Sequence, residues 1–438
     1  MLDIRFIREH EDRVRDAAKK KNKLVDIDTL LELDDERLRL QKQLEEYQAK
    51  QNAASKEIAL VAQAHGNMEE RAHLLQKTST IKAKIQALED RLKPIKEKIA
   101  AKVYEIPNVV SPDVPVGKNE EDNVVVRSWG EKPDFDFEAK DHMQLAKALD
   151  LIDTETAAEV SGSRFAYIKG DLVLLQFALL QMTFNALTDE NVLALIIEEK
   201  GLDVSAKPFM PIIPPVMVRN SVQKSIHRVF GDQTYQFRED ELNLVASAEH
   251  TLAPYYMNKT INQQNLPLRF VGYSTAFRKE AGTYGKDMGG IFRTHQFDKI
   301  ELESFTDAES GSQEQQLMVG IQEYLVQQLG IPYQVVHVCT GDMGGPDYEQ
   351  FDIECWLPGQ ERYRETHTSD YMTDFQTRGI KSYYKGEEGK RLLHTNDATA
   401  FAIGRILIAI MENYQQADGT IGIPEALRPY MGGRDLIQ

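Results

Sequence analysis

The sequence predicts an α+β protein: a long antiparallel helical hairpin at the N-terminus, then a larger domain built on an antiparallel sheet flanked by helices. Three observations carry that expectation. Residues 1–105 contain one glycine, Gly66, and one proline, Pro94, and their apolar side chains recur at alternating steps of four and three. At Pro107 the texture changes to mixed segments punctuated by Pro and Gly. Beyond it, strand-like stretches follow one another with few complete strand–helix–strand units, which favours antiparallel pairing.

Taken in order, residues 1–22 read as a separate amphipathic helix with Ile4, Ile7 and Val14 on one side. Leu40, Leu44, Tyr47, Gln51, Ala54, Ile58 and Val61 form a first seam. Leu74, Thr78, Ile81, Ile85, Leu88, Leu92, Ile95 and Ile99 form a second. Steps of four and three average about 3.5 residues, the coiled-coil period. Between the seams, His65-Gly66-Asn67 suits a chain reversal, because Gly and Asn tolerate positive φ. Each limb then has roughly 35 residues and spans about 50 Å. Pro94 removes a backbone hydrogen bond and should kink the returning limb near its base. Residues 105–125 read as a boundary and linker. Past the linker, 172–187 and 311–329 have helical patterning, and 267–277, 291–305, 333–339 and 351–356 read as strands. The implied division is an N-terminal domain over 1–110, its hairpin spanning about 28–100, and a second domain over 111–438.

Composition removes several classes of function. Two cysteines, Cys339 and Cys355, permit at most one disulfide and no CxxC pair, which excludes cysteine-rich zinc sites and suggests a reducing compartment. None of the ten histidines has the i, i+4 spacing of a zinc hydrolase, so no zinc is expected. The start, MLDIRFIREHEDRVR, lacks an apolar signal region, and no apolar run approaches 18 residues. A soluble cytoplasmic protein without a membrane partner is expected. Net charge is −17, which argues against a DNA-binding protein. The charge is unevenly spread: residues 1–105 hold 22 Lys/Arg against 20 Asp/Glu, leaving −19 for the remainder. A polyanion would meet the N-terminal third more readily.

Chemistry concentrates in Phe277-Arg278-Lys279-Glu280-Ala281-Gly282-Thr283-Tyr284-Gly285 and the returning segment that runs from Gly289 through Arg293, His295 and Phe297 to Glu301. On a strand, residues two apart share a face, so Arg278 aligns with Glu280, and Arg293 with His295 and Phe297. A guanidinium fork beside an aromatic ring suits a nucleotide, whose phosphate and base it would hold. From pattern alone, an exposed hairpin with cross-strand salt bridges fits equally. Arg405 opens the apolar stretch 403–411, and a buried arginine there needs an anion, either a substrate's or a structural carboxylate. Asp352, Glu354, Glu361 and Glu365 add carboxylates of a kind that can hold Mg²⁺ or simply be solvated. GxGxxG and GxxxxGK[ST] are both absent.

Phe277–Glu280 with its glycine loop, and the return ending in His295-Gln296-Phe297-Asp298-Lys299-Ile300-Glu301, resemble motif 2 of the class II aminoacyl-tRNA synthetases of the seryl type. The run from Ala402-Ile403-Gly404-Arg405 to Met411-Glu412-Asn413-Tyr414-Gln415 is similar to that family's motif 3. Val160-Ser161-Gly162-Ser163-Arg164-Phe165, Pro214-Pro215 in a motif 1-like segment, Cys339-Thr340-Gly341-Asp342-Met343-Gly344 and Trp356-Leu357-Pro358-Gly359-Gln360 extend the likeness over essentially the whole chain.

The resemblance implies a class II catalytic domain behind an arm that binds tRNA(Ser), with tRNA(Sec) as a further acceptor. It also implies a homodimer, and substrates ATP and L-serine with Mg²⁺. Arg278 would grip the α-phosphate, Glu280 would sit at the adenine end, Phe297 would stack on the base, and Arg405 would take the γ-phosphate. Lys279, Thr294, Thr366 and His367 fall beside them in the nucleotide-binding set. Glu365 and Thr368 fall where the family coordinates Mg²⁺. Serine would be held by Ser247, Ala248, Glu249, Arg278, Glu301 and Thr399. Arg278, Glu365 and Arg405 form the implied catalytic set, assisting in-line attack of the serine carboxylate on the α-phosphorus.

The chain departs from the family pattern at three places. Asp397-Ala398-Thr399-Ala400 stands for Asn-Gly-Ser-Gly, Thr368-Ser369-Asp370-Tyr371 for Ser-Cys-Ser-Asn, and Ser247-Ala248-Glu249 for Thr-Ala-Glu. Two other functions compete with the ligase. One is a catalytically silent paralogue that binds tRNA or dimerises, against which the intact arginines and Glu365 argue. The other is a ligase that loads an amino acid onto a carrier protein, which would not need the long hairpin.

Overall fold

A computed structural model describes residues 1–63, 68–228, 231–237, 239–280 and 289–438. These form two compact units, residues 2–107 and residues 108–438 together with Met1.

The first unit contains α1 (Ile4–Glu9), α2 (Glu11–Lys20), α3 (Ile27–Gln63) and α4 (Met68–Glu105). The single helix expected over 1–22 is two, because His10 leaves helical geometry at φ −127° and ψ 39°. Asp3 caps α1 by accepting from the Arg5 N–H, and Glu11 and Asp12 in the first turn of α2 suit its positive end. The long pair α3 and α4 follows the heptad pattern. Leu40, Leu44, Ala54, Thr78, Ile81, Leu88, Leu92, Ile95 and Ile99 are buried, while most positions between them are exposed. Pro94 faces solvent, and α4 runs through it unbroken between the buried Leu92 and Ile95, so the expected kink does not end the helix. One missing N–H costs one bond, which seam packing on both sides offsets. The reversal expected at His65-Gly66-Asn67 lies outside the described residues.

The second unit is built on an eight-stranded sheet. Its strands are β1 (Val124–Trp129), β2 (Met210–Ile212), β3 (Leu268–Phe277), β4 (Gln296–Thr306), β5 (Tyr333–His337), β6 (Glu349–Leu357), β7 (Arg362–Thr373) and β8 (His394–Ala402). Their spatial order is β1-β5-β6-β7-β8-β4-β3-β2, antiparallel throughout except for β2, which pairs parallel to β3 at the edge. One face packs on α5 (Asp171–Leu187), α6 (Glu190–Lys200), α7 (Gly311–Gln328) and α8 (Ile403–Asn413). Ile300, Leu302, Ile353, Cys355 and Ala398 enter that core from the sheet, and Leu179, Leu317, Ile321 and Leu407 from the helices. No single helix among the described residues is long and apolar enough to cross a membrane, and the apolar pair α5 and α6, bent by 75°, belongs to this core.

Two strands are clearly shorter than expected, the stretch 333–339 ending as strand at His337. The stretch 291–305 becomes strand only from Gln296, because the Thr294 hydroxyl turns back to the Gln296 carbonyl at 2.8 Å and the His295 N–H donates to Arg164 instead of a ladder partner.

Candidate active site

Alternation along β4 sorts its residues by face. Ile300 and Leu302 point into the helical core, whereas Phe297, Lys299, Glu301 and Glu303 turn to the other side. Across the sheet, Glu301 opposes Thr399 on β8, and Glu303 opposes Asp397, which in turn opposes Asp370 on β7. Asp352 on β6 opposes Thr368. The second face of the sheet is therefore lined with carboxylates and hydroxyls.

Two bulges complete this alignment. Glu365 and Thr368 are three residues apart, an odd spacing that would put them on opposite faces of a regular strand. The register of β6 against β7 slips between Ile353 and Glu354, leaving Thr366 as the extra residue and returning Glu365 to the face of Thr368. A second slip makes Ala400 the extra residue on β8 and sets Thr399 against Glu301. Gln322 of α7 secures both strands from beneath, its Nε2 donating to the Thr368 carbonyl at 2.7 Å and to the Thr399 carbonyl at 2.8 Å.

A cavity of about 320 Å³ opens over this face. At one end Arg278, Glu280, Thr294 and Phe297 meet Glu365, Thr366, Thr368 and Arg405. The Arg278 guanidinium lies 5.2 Å from the Phe297 ring centre, and its Nε donates to the Ala246 carbonyl at 3.2 Å. Arg405 stands in the first turn of α8, where its Nη1 donates to Glu365 Oε1 at 2.8 Å and to the Glu365 carbonyl at 2.9 Å. Gly404 allows α8 to start this close, since a Cβ there would come within 2.8 Å of the Ile291 carbonyl oxygen.

Burial, then the charge of the neighbouring Arg405, press the Arg278 guanidinium below its ordinary value, although Glu280, Glu365 and Glu301 act in the other direction. Desolvation pushes the Glu365 carboxyl upward, but Arg405 and Arg278 outweigh it and hold the group ionised. Asp352 is driven well above the carboxylate range by burial and by the charge of Glu365. A divalent cation between those carboxylates and the Thr368 hydroxyl would relieve that repulsion. Among the described residues no group of three His, Cys, Asp or Glu is arranged to hold a metal ion. One carboxylate and one hydroxyl do suit Mg²⁺, which usually keeps water and substrate phosphates as its remaining ligands.

Of the residues expected around serine, Arg278 and Thr399 line the cavity, whereas Ser247, Ala248, Glu249 and Glu301 do not and are buried behind it. Glu301 Oε2 accepts from the Ser247 hydroxyl at 2.9 Å and pairs with Lys299 Nζ at 2.5 Å. Glu249 Oε1 accepts from Arg228 Nε at 2.5 Å and from Gln376 Nε2 at 2.7 Å. Ala248 is fully buried between its two neighbours.

Two expected nucleotide-site residues are not brought to the cavity. Lys279 alternates away from Arg278 and is exposed, with its ammonium over the Tyr235 ring. His367 turns into the core beside Phe401, where burial lowers its pKa to about 3. His295 also misses the cavity, its Nδ1 lying 3.0 Å from the Arg278 carbonyl. The loop residues Ala281, Gly282, Thr283, Tyr284 and Gly285 lie outside the described residues.

Sequence reasoning missed Arg228, Lys299 and Asp347, all of which line the cavity. Lys299 was within reach, because it stands two residues before Glu301 on the same strand. Arg228 and Asp347 sit in irregular segments where no period points to them. Arg164 was noted only as part of a motif. Its Nη1 donates to the Glu280 carbonyl at 3.0 Å, bracing a residue held at φ +47°.

Comparison with known proteins agrees with this geometry. Residues 1–110 match the seryl-tRNA synthetase N-terminal domain, and residues 233–414 the tRNA synthetase class II core domain (G, H, P, S and T). The serine–tRNA ligase of Rubrobacter xylanophilus is 35% identical over 438 residues, covering 100% of this chain and 99% of its own. That of Deinococcus radiodurans is 38% identical over 442 residues, with coverage of 100% and 99%. Among solved structures, seryl-tRNA synthetase from Pyrococcus horikoshii complexed with ATP superposes with a TM-score of 0.86 at 34% identity, covering 100% of this chain and 99% of that one. With full-length identity at this level and both domain types in order along one polypeptide, the chain belongs to the seryl-tRNA synthetase family.

Proposed function

We propose that the protein is a serine–tRNA ligase that activates L-serine with ATP and transfers it to tRNA(Ser). The observation that carries this reading is the convergence of Arg278, Glu365 and Arg405 on one cavity whose other end is lined by Thr399 and Lys299, with Glu301 and Glu249 buried behind them. Two guanidiniums that repel each other are positioned to receive a polyphosphate. Phe297, under Arg278, offers its face to the adenine. Glu365 and the Thr368 hydroxyl would hold Mg²⁺, which when bound would neutralise phosphate charge. In this reading Glu301 and Glu249 take the α-ammonium, and Arg278 the serine carboxylate.

A serine carboxylate oxygen then forms a bond to the α-phosphorus while the bond to the bridging oxygen of the β-phosphate breaks, releasing pyrophosphate. Arg278 stabilises charge on the α-phosphate, and Arg405 holds the leaving pyrophosphate. In the second step a terminal ribose hydroxyl of tRNA attacks the acyl carbon and AMP departs. No side chain needs to become covalently bound.

The hairpin α3–α4 is the tRNA-binding arm in this reading, supported by the outward-facing Arg71, Lys77, Lys82, Lys84 and Lys93. A homodimer is supported by the exposed Met210, Ile213 and Met217 in and beside the edge strand β2, near Pro214-Pro215. The expected cytoplasmic location follows from the substrates. Pyrophosphate exchange across the twenty amino acids, followed by charging of tRNA(Ser), tests the assignment. Exchange strongest with serine and charging of tRNA(Ser) are expected, and exchange with no amino acid would overturn it.

A further inference from the structure

The amino-acid end of the cavity carries more negative charge than its protein cations offset. Asp347 and Asp370 line that end, and Glu249, Glu301, Glu303 and Asp397 are buried on the sheet face and around Arg228 behind it. Their buried cationic partners among the described residues are Arg228 and Lys299, and Arg278 on the phosphate side feels the charge of Glu301. His250, close to Arg228, is kept neutral by burial.

Hydrogen bonding shows the same deficit without reference to charge. Arg228 Nη2 carries two protons, yet Asp347, Asp370 and Asp397 each approach it at 3.4 Å and Met372 Sδ does the same. Both carboxylate oxygens of Glu303 and Oε1 of Glu301 have no hydrogen-bond donor among the described residues, although neither residue has measurable exposure. Glu303 shares the site face of β4, where Glu249, Glu301 and Arg228 supply its electrostatic surroundings. Buried carboxylates short of donors are strongly unfavourable, so the arrangement anticipates donors from a ligand.

Serine meets only part of that demand. Its α-ammonium satisfies Glu249 and Glu301, and its hydroxyl brings a single proton. Asp370 and Asp397 stand where the seryl pattern has Ser and Asn, so two neutral positions have become carboxylates around the substrate side chain. We infer that this pocket binds a second ammonium group: besides serine it activates the amine isostere 2,3-diaminopropionate, whose β-ammonium is received by Asp370, Asp397 and Glu303. The isostere adds three donors in place of one while keeping the length of serine. Burial and the surrounding carboxylates hold Glu303 and Asp397 well above the ordinary range, so protons offset the excess charge until a cationic ligand displaces them.

The inference rests on the ligase reading, and one experiment separates the two. Pyrophosphate exchange by the full chain is measured with L-serine, L-2,3-diaminopropionate and L-alanine. Expected is a kcat/KM for diaminopropionate of at least about one tenth that for serine, with alanine far weaker because it leaves polar groups unpaired. Asp397→Asn should then lower the diaminopropionate-to-serine ratio about 10²-fold, as loss of one member of a buried charge pair does. A wild-type ratio below one tenth, or a ratio unchanged in Asp397→Asn, would overturn the second ammonium and leave the ligase standing. Exchange with none of the three would overturn the ligase reading itself. The wild-type ratio depends on no variant folding.

Discussion

The arm and the catalytic sheet bury opposite kinds of surface. In α3 and α4 the buried positions are nearly all apolar, and the charges lie outward. In the sheet, one face is as apolar as the arm's seam, but the other buries Glu301, Glu303, Asp397 and Asp370 on the three adjacent strands β4, β8 and β7. Burial in the arm follows hydrophobicity and stabilises a shape. Burial on the second sheet face opposes folding unless each charge finds a partner, so its charges are explained by what they bind. The arm is thus a scaffold whose function lies on its outside, and the sheet is a site whose function lies within.

If that division is right, the largest effect comes from removing residues 30–99. Transfer to tRNA should disappear while serine-dependent pyrophosphate exchange stays close to wild type. Charging at the full rate by the shortened protein would break the comparison at its root. Arg278→Ala and Arg405→Ala should do the reverse, lowering exchange by about 10²–10³ through loss of a preorganised charge while leaving tRNA binding unaltered. Near-normal exchange in either variant would return that arginine to a structural ion pair, such as the one Arg405 makes with Glu365.

The two regions were also unequally legible. The arm's seams could be read residue by residue, because a period of 3.5 leaves a trace in sequence and burial follows it at Leu40, Leu44, Leu88 and Leu92. Four of the eight sheet strands, β3, β4, β5 and β6, fall on stretches that read as strands, whereas β1, β2, β7 and β8 were not anticipated. The site was readable where it lies on strands: Phe297 and Glu301 fall on one side of β4, as a period of two demands, whereas Arg278 and Glu280 lie past the end of β3, Glu280 at φ +47°. It was not readable where geometry departs from that period. Nothing local announces the bulge at Thr366 that brings Glu365 round to Thr368, nor the irregular backbone that carries Arg228 to four carboxylates. Lys279 and His367 were misplaced because adjacency in a motif says nothing about which face a residue takes.

Salt should separate the regions further, with a smaller effect. The remainder of the chain carries −19 and repels a polyanion, so tRNA must be held where the arm's outward lysines and arginines are. Each phosphate they neutralise releases counterions, and two such contacts would already raise the KM for tRNA about tenfold between 50 and 200 mM salt. The KM for serine, bound in a buried pocket, should change far less over the same range, because buried charges are weakly screened. Equal salt sensitivity of the two constants would place tRNA recognition elsewhere.

The smallest expected effect concerns Glu303, and it tests whether buried charge in the sheet opposes stability. Burial, then the fields of Glu249 and Glu301, hold its carboxyl well above the ordinary carboxylate range. The folded protein therefore keeps a proton that the unfolded chain loses above about pH 4.3. With the folded value raised, stability from this group is fully present below the unfolded value and is lost as pH climbs toward the folded one. Glu303→Gln preserves the shape and removes that titration. The variant should match the wild type below about pH 4 and become more stable at pH 8, by about 2 °C in Tm for each kcal/mol recovered. The same substitution at an outward carboxylate of the arm, such as Glu89, should leave both values unchanged. A Glu303→Gln protein less stable at pH 8 than the wild type would mean that the carboxylate is held by a favourable pairing, and the contrast between an apolar interior in the arm and a charged one in the sheet would lose its energetic meaning.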